Sequence, residues 1–407
     1  MMQFLTQLWS IALGMLDQLF ILTKLGGSRR PLFFSKGWGD IAELLKVVQR
    51  VEKSAIDGIP LVDAATTMTW GTAAADEFTR DGIISCPGSF ESPIAADLPP
   101  EAQRCHFRFC APAQSGICVW EQKPDRDQPR PTAVLLLLPA TGEQGSSGRF
   151  KLATPLAKEY GWCTIIVTAP FYGSRKPKSQ RLHHVDRVDS FCYQSLAIMT
   201  EAAALLSWCD ARWPGVPLCV SGFSWGAAMS SCSGIIASQW MRESARVAVV
   251  PYVGSATPAV IADGLLASDI DWTALQRAWQ DEKAIEKSKA DSSVPKCVQA
   301  ETRAEPIDAT RQRLITLLAD SLHLRSWQQP IVALGTYNKL AAVQAVSMRH
   351  DAILLPRYAD ELSQILRALC VTDRHEHRTY CGGHVSAFLR RGTLQRDAIV
   401  RAMAAVC

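Results

Sequence analysis

At 407 residues the chain can bury a large core, as one α/β domain with insertions or as two domains. Its 48% hydrophobic and 20% charged content excludes a disordered polymer, and a formal net charge of +4 argues against nucleic acid as a main partner. The 13 cysteines are scattered with no C-x-x-C pair, so they read as reduced core residues of an intracellular protein; clustered metal ligands are missing too.

Residues 3–25 are mostly apolar but interrupted by Gln3, Thr6, Gln7, Ser10, Asp17 and Gln18, too often for a spanning helix. No positive residue precedes the run, which argues against a secretory signal. The expectation is a helix that docks on the domain or lies in a membrane surface as a peripheral contact. With the helical spacing of Ile41 to Val51 it makes an N-terminal helical segment, 1–56, ahead of a main domain, 57–407.

Short β-like runs near Gly82 to Cys86 and Cys105 to Cys110, separated by Pro-rich turns, predict an antiparallel pair at a sheet edge. From residue 132 the rhythm changes. Ala133 to Leu138 is a continuous apolar run, as in a strand buried on both faces. A helix at 147–160, a strand at Trp162 to Thr168, a helix at Ser190 to Asp210, a strand before Gly222, a helix at 227–240 and a strand at Arg246 to Tyr252 follow. Such alternation predicts an α/β fold: a mostly parallel central sheet with helices on both faces. Residues 255–330 break the rhythm with helices at Asp271 to Ser288 and Thr310 to Arg325, as expected of a helical lid insertion. A strand at Leu340 to Ser347, a helix at Asp360 to Leu369, a strand at Arg378 to Tyr380 and one final helix from Val385 to about Ala405 complete the chain.

The strand before residue 222 ends in Gly222-Phe223-Ser224-Trp225-Gly226, the Gly-x-Ser-x-Gly pattern of a nucleophile elbow. A serine hydroxyl needs a base, and the base an orienting acid, which on such a fold follow in the order Ser, Asp or Glu, His. His384, behind two glycines after the last strand, is the candidate base; His375 and His377 read as solvated. Asp351, at the end of the preceding strand, is the candidate acid, against a plain turn or N-cap aspartate ahead of Pro356; Asp360 and Glu361 are weaker. The oxyanion donors would be the amides of Trp225 and of Thr141, with Ala140 as the alternative. The basic run Arg175-Lys176-Pro177-Lys178 is either a solvated loop or a contact for a phosphate or acidic head group.

Several stretches in order resemble one family, that of alpha/beta hydrolase domain-containing protein 18. They include Gly37-Trp38-Gly39, Thr141-Gly142, Tyr172-Gly173-Ser174-Arg175-Lys176-Pro177-Lys178, Gly222 to Gly226, Asp269-Ile270-Asp271-Trp272, His350-Asp351-Ala352 and Gly382-Gly383-His384-Val385-Ser386-Ala387-Phe388. The resemblance implies an α/β-hydrolase fold with Ser224, Asp351 and His384 as triad, no cofactor, and an association with mitochondria and phospholipid deacylation. The chain departs from the family at Pro139-Ala140-Thr141-Gly142-Glu143, where the family pattern resembles Ala-Gly-Thr-Gly-Asp, and at Ala227, where a second glycine is usual. The expected activity is cleavage of a carboxylic ester of a lipid or phospholipid; the alternative is a non-catalytic, membrane-associated scaffold or binding protein of the same fold.

Overall fold

Ten strands join in one sheet among the residues that this computed structural model describes, namely 14–19, 32–71, 78–80, 82–117, 129–180, 183–290, 306–333, 340–370 and 373–406. The first four are β1 (Thr69–Trp70), β2 (Phe78–Arg80), β3 (Ile83–Glu91) and β4 (Arg104–Pro112). They pair antiparallel, with the anticipated β3–β4 ribbon at their centre. Six parallel strands follow: β5 (Val134–Leu138), β6 (Cys163–Thr168), β7 (Leu218–Phe223), β8 (Val247–Tyr252), β9 (Leu340–Met348) and β10 (His375–Tyr380). The order across the sheet is β1-β3-β4-β6-β5-β7-β8-β9-β10, with β2 off this path and paired to β3.

Every side chain of β5 is buried, and successive residues serve opposite layers, as the period of two in a strand requires. Val134, Leu136 and Leu138 join one core and Ala133, Leu135 and Leu137 the other. The first core is covered by α1 (Ile41–Asp57), α3 (Val188–Arg212) and α4 (Trp225–Trp240), and the second by α2 (Ser147–Tyr160) and the C-terminal helices. In α1 the buried positions Leu44, Val47, Val48 and Val51 repeat at helical spacing; Asp40 caps the first turn and Gly58, at φ 68°, ends it. Helix α4 sits so close to the sheet that a Cβ on Gly234 would lie 2.5 Å from Val249, and its Ala and Ser residues follow from that approach.

The segment between β8 and β9 is helical, with α5 (Trp272–Ala290), α6 (Ile307–Leu322) and α7 (Leu324–Ala333). It is tied to the chain before α1: Phe33 N–H donates to Asp269 O at 2.8 Å, and Trp38 Nε1 to Leu275 O at 2.9 Å. Helix α8 (Pro356–Leu369) links β9 to β10.

Two expectations are corrected. His375 and His377 are not solvated: β10 begins at His375, and they bond the hydroxyls of Ser363 (3.1 Å) and Ser347 (2.8 Å). Burial lowers the pKa of both imidazoles. The final helix is also not continuous: α9 (His384–Leu389) gives way to a π turn at Arg391–Gln395 and then α10 (Arg396–Ala404). The wider turn brings Gln395 inward, where its Nε2 donates to Ser221 Oγ at 3.0 Å. Of the apolar stretch 3–25, only the helical residues 14–19 are among the described ones; there Asp17 is buried while Met15 and Leu19 are exposed.

Candidate active site

Strand β7 and helix α4 meet at Ser224, whose φ of 58° and ψ of −121° lie where L-residues rarely go. The turn holds because the Ser224 amide donates to Tyr252 O (3.1 Å) and the Ser224 carbonyl accepts from Ala227 N–H (2.9 Å). It also needs glycine on both sides. A Cβ on Gly222 would collide with the Gly226 carbonyl, and one on Gly226 would lie 2.5 Å from Pro139 O. The two outer glycines of the motif are thus required by backbone crossings, and the serine between them stays partly exposed.

Beyond β10 the chain turns through Gly382 at φ 120° and enters α9 at His384. His384 Nε2 is 2.9 Å from Ser224 Oγ, and His384 Nδ1 is 2.8 Å from Asp351 Oδ2. The other carboxylate oxygen of Asp351 accepts from Ile353 N–H (2.9 Å) and Leu354 N–H (2.6 Å). The two readings of Asp351 therefore both describe it: one oxygen orders the turn and the other faces the imidazole. An ionised Asp351 can only accept, so Nδ1 carries the proton and Nε2 is left to accept from the serine hydroxyl. Burial alone would lower the His384 pKa, but the Asp351 carboxylate outweighs it and the net shift is upward. The Phe223 ring lies 4.8 Å from the His384 ring and 5.8 Å from that of Phe388.

The expected oxyanion donors fall on two elements. Trp225 opens α4, where first-turn amides have no intrahelical acceptor. Its indole is buried and donates to Ser195 Oγ at 3.1 Å, so the side chain is packing. On the loop after β5, the Ala140 amide donates to Glu143 Oε2 at 3.0 Å, while Thr141 stands exposed at the turn. Glu143 is held by Arg149 Nε at 3.2 Å, and Arg149 Nη1 donates to Leu137 O at 3.0 Å and to Val167 O. The loop Pro139 to Glu143 is thus braced by a buried arginine that sequence reading passed over.

Arg175 is corrected. It is 0% exposed, with two hydrogen bonds to Glu201 (2.6 and 2.8 Å) and others to Thr168 O (2.8 Å) and Ala102 O (2.7 Å). A guanidinium so enclosed has no face for an anionic head group. Lys176 beside it is half-buried. Sequence reading also missed Asp17, which accepts from the His384 and Val385 amides at 2.8 Å each and from Ala352 N–H at 3.1 Å. Its signal was a lone acid inside an apolar run. Among the described residues no group of three or more His, Cys, Asp or Glu side chains is placed to hold a metal ion.

The model of the family described as "Alpha/beta hydrolase domain containing 18" matches residues 31–405. Among solved structures, acetyl xylan esterase 1 from Thermoanaerobacterium sp. JW/SL YS485 is 12% identical at a TM-score of 0.49, covering 92% of this chain and 96% of its own. A cold-adapted esterase from an Arctic intertidal metagenomic library (12% identity, TM-score 0.40) covers 82% of this chain and 99% of its own. A thioesterase domain from the curacin biosynthetic pathway covers the same shares at 12% identity and a TM-score of 0.38. Likeness at these scores carries nothing about activity.

Proposed function

The chain belongs to the alpha/beta hydrolase domain containing 18 family, and we propose that it is a serine hydrolase that cleaves a carboxylic ester of an apolar, lipid-like substrate. The observation that carries this is the unbroken run from Asp351 Oδ2 through both nitrogens of His384 to Ser224 Oγ, at 2.8 and 2.9 Å. Ser224 Oγ attacks the ester carbonyl as His384 Nε2 takes its proton, and the negative charge of Asp351 stabilises the imidazolium. The developing oxyanion is met by the amides of Trp225 and Thr141. Collapse breaks the ester C–O bond, and the departing alkoxide takes the proton from Nε2. Water then attacks the acyl-serine with His384 again as base, releasing the acid and restoring the Ser224 hydroxyl.

An apolar substrate is supported by the exposed side chains of Phe388 (48%) and Leu389 (70%) on the helix that His384 opens, and by exposed Met15 and Leu19 on the segment that carries Asp17. No helix among the described residues is long and apolar enough to cross a membrane. Lys176 and the exposed Lys178 are the side chains of the basic loop left to meet an anionic head group, since Arg175 is enclosed. Labelling with a fluorophosphonate tests the proposal, comparing the wild type with Ser224→Ala and His384→Ala. Labelling confined to the wild type supports an activated serine and justifies a screen of phospholipids against neutral esters. A folded wild type that never labels makes the chain a binding protein instead.

A further inference from the structure

The last ladder-like bonds between the segments after β9 and β10 are Arg349 N–H to Tyr380 O at 2.9 Å and His350 N–H to Gly382 O at 3.0 Å. Beyond them the two segments diverge, one through Asp351 and the other into His384. Three amides at this divergence are left without a ladder acceptor: that of Ala352 and those of His384 and Val385, the first two residues of α9. All three are taken by one carboxylate, Asp17, which is 0% exposed. Oδ2 receives Ala352 and His384, and Oδ1 receives Val385.

The residue before the base is built to admit this carboxylate. A Cβ on Gly383 would lie under 3.0 Å from three atoms of the Asp17 carboxylate, so no larger residue fits while Asp17 is in place. Gly383 is also the N-cap of α9 and has no side chain to cap with; the acceptor is supplied from 367 residues upstream. The same upstream helix touches the acid's segment a second time, since a Cβ on Gly14 would lie 2.8 Å from His350 Cβ.

We propose that Asp17 is a positioning residue, which fixes the base loop and the acid loop against each other so that His384 meets both Ser224 and Asp351. The proposal rests on the serine-hydrolase reading above. Asp17 touches no reacting atom. It acts on the imidazole through the His384 backbone, and its charge adds to that of Asp351 in favouring the imidazolium. A structural cap would cost stability when removed; a positioning group costs turnover in a chain that stays folded.

The test measures hydrolysis of p-nitrophenyl acetate and urea midpoints for the wild type, Asp17→Ala, Asp17→Asn, Gly383→Ala and the double variant Asp17→Ala/Gly383→Ala. In Asp17→Ala, kcat should fall about 100-fold, the order of loss expected from a misplacement near 1 Å, with KM within about twofold. Asp17→Asn, which keeps the shape and one acceptor oxygen but turns its amide NH2 toward at least one of the three N–H donors, should fall between it and the wild type. Gly383→Ala should imitate Asp17→Ala by evicting the carboxylate, and the double variant should lose little beyond either single one. Asp17→Ala with kcat within about threefold of the wild type overturns the proposal, as do additive losses in the double variant. If Asp17→Ala fails to fold, Asp17→Asn and Gly383→Ala decide by the same criteria; unfolding of all three assigns Asp17 to stability alone and overturns it. An inactive wild type defeats the serine-hydrolase reading, whereas an active wild type indifferent to Asp17 defeats only this proposal.

Discussion

Arg175 and Glu201 share hydrogen bonds of 2.6 and 2.8 Å with neither side chain exposed, and His384 and Asp351 share one of 2.8 Å almost as deeply buried. Each cation follows a strand of the same sheet, Arg175 in the turn after β6 and His384 at the start of α9 after β10. In each the acid's attraction outweighs burial, so the cation's pKa is shifted upward. What separates them is where the hydrogen bonds end. Arg175 spends further donors on the carbonyls of Thr168 and Ala102 and closes on itself. His384 has a second nitrogen, which ends on the hydroxyl of a partly exposed serine. Depth and pKa direction therefore do not mark chemistry in this protein. On the serine-hydrolase reading, an outlet onto a hydroxyl does.

That contrast can be broken at either pair. The largest loss is expected at the outlet: Ser224→Ala should reduce ester turnover by about 10⁶-fold with the urea midpoint held, and turnover within tenfold of the wild type would remove the serine from the reaction. Next comes Asp351→Asn, whose amide group presents a donor to Nδ1 and favours the wrong tautomer; kcat should drop about 10⁴-fold. Glu201→Ala strips the closed pair of its anion and leaves Arg175 buried and uncompensated. It should cost about 3–5 kcal/mol of stability by urea denaturation, with kcat of the folded fraction within about twofold. A large kcat defect at full stability would turn the closed pair into part of the site.

The smallest effect sharpens the comparison through pH. Because the folded pKa of His384 is raised above 6.5, its contribution to stability is complete below the unfolded value and fades as pH climbs through the folded one. Activity runs the other way, since only the neutral imidazole accepts a proton. The rising limb of kcat/KM should thus be centred above pH 6.5, where the urea midpoint loses this contribution. A limb centred below that value would mean that burial, and not Asp351, governs the base. Arg175 offers no such limb, as its charge persists throughout this range.

Much of this was legible in sequence because burial leaves a local pattern. The apolar run Ala133 to Leu138 read as a doubly covered strand, and Gly222 to Gly226 as a sharp turn between strand and helix. The order Ser224, Asp351, His384 gave the contacts of the site before any geometry, since the strand ends of a parallel sheet lie on one edge. What escaped has no period to detect. Glu201 lies in the middle of an apolar helix and its partner in a basic loop, so Arg175 looked like one of a surface cluster. β10 reads His-Glu-His-Arg-Thr-Tyr, an edge strand whose imidazoles find hydroxyls on neighbours that local pattern does not reveal. The same reasoning treated Asp17 only as a flaw in an apolar helix, because its three amide partners arrive more than 300 residues later.

That separation has a consequence for the order in which the protein is made. Asp17 leaves the ribosome well ahead of the amides it accepts from, which follow 335 to 368 residues later. Ser224 follows midway, with its base 160 residues behind it. During synthesis the elbow can form on β7 and α4 while its hydroxyl has no base, and Asp17 has nothing to bind. On the serine-hydrolase reading, the newborn chain is chemically silent until β10 and α9 dock, so a nascent or truncated copy carries the serine without the reactivity.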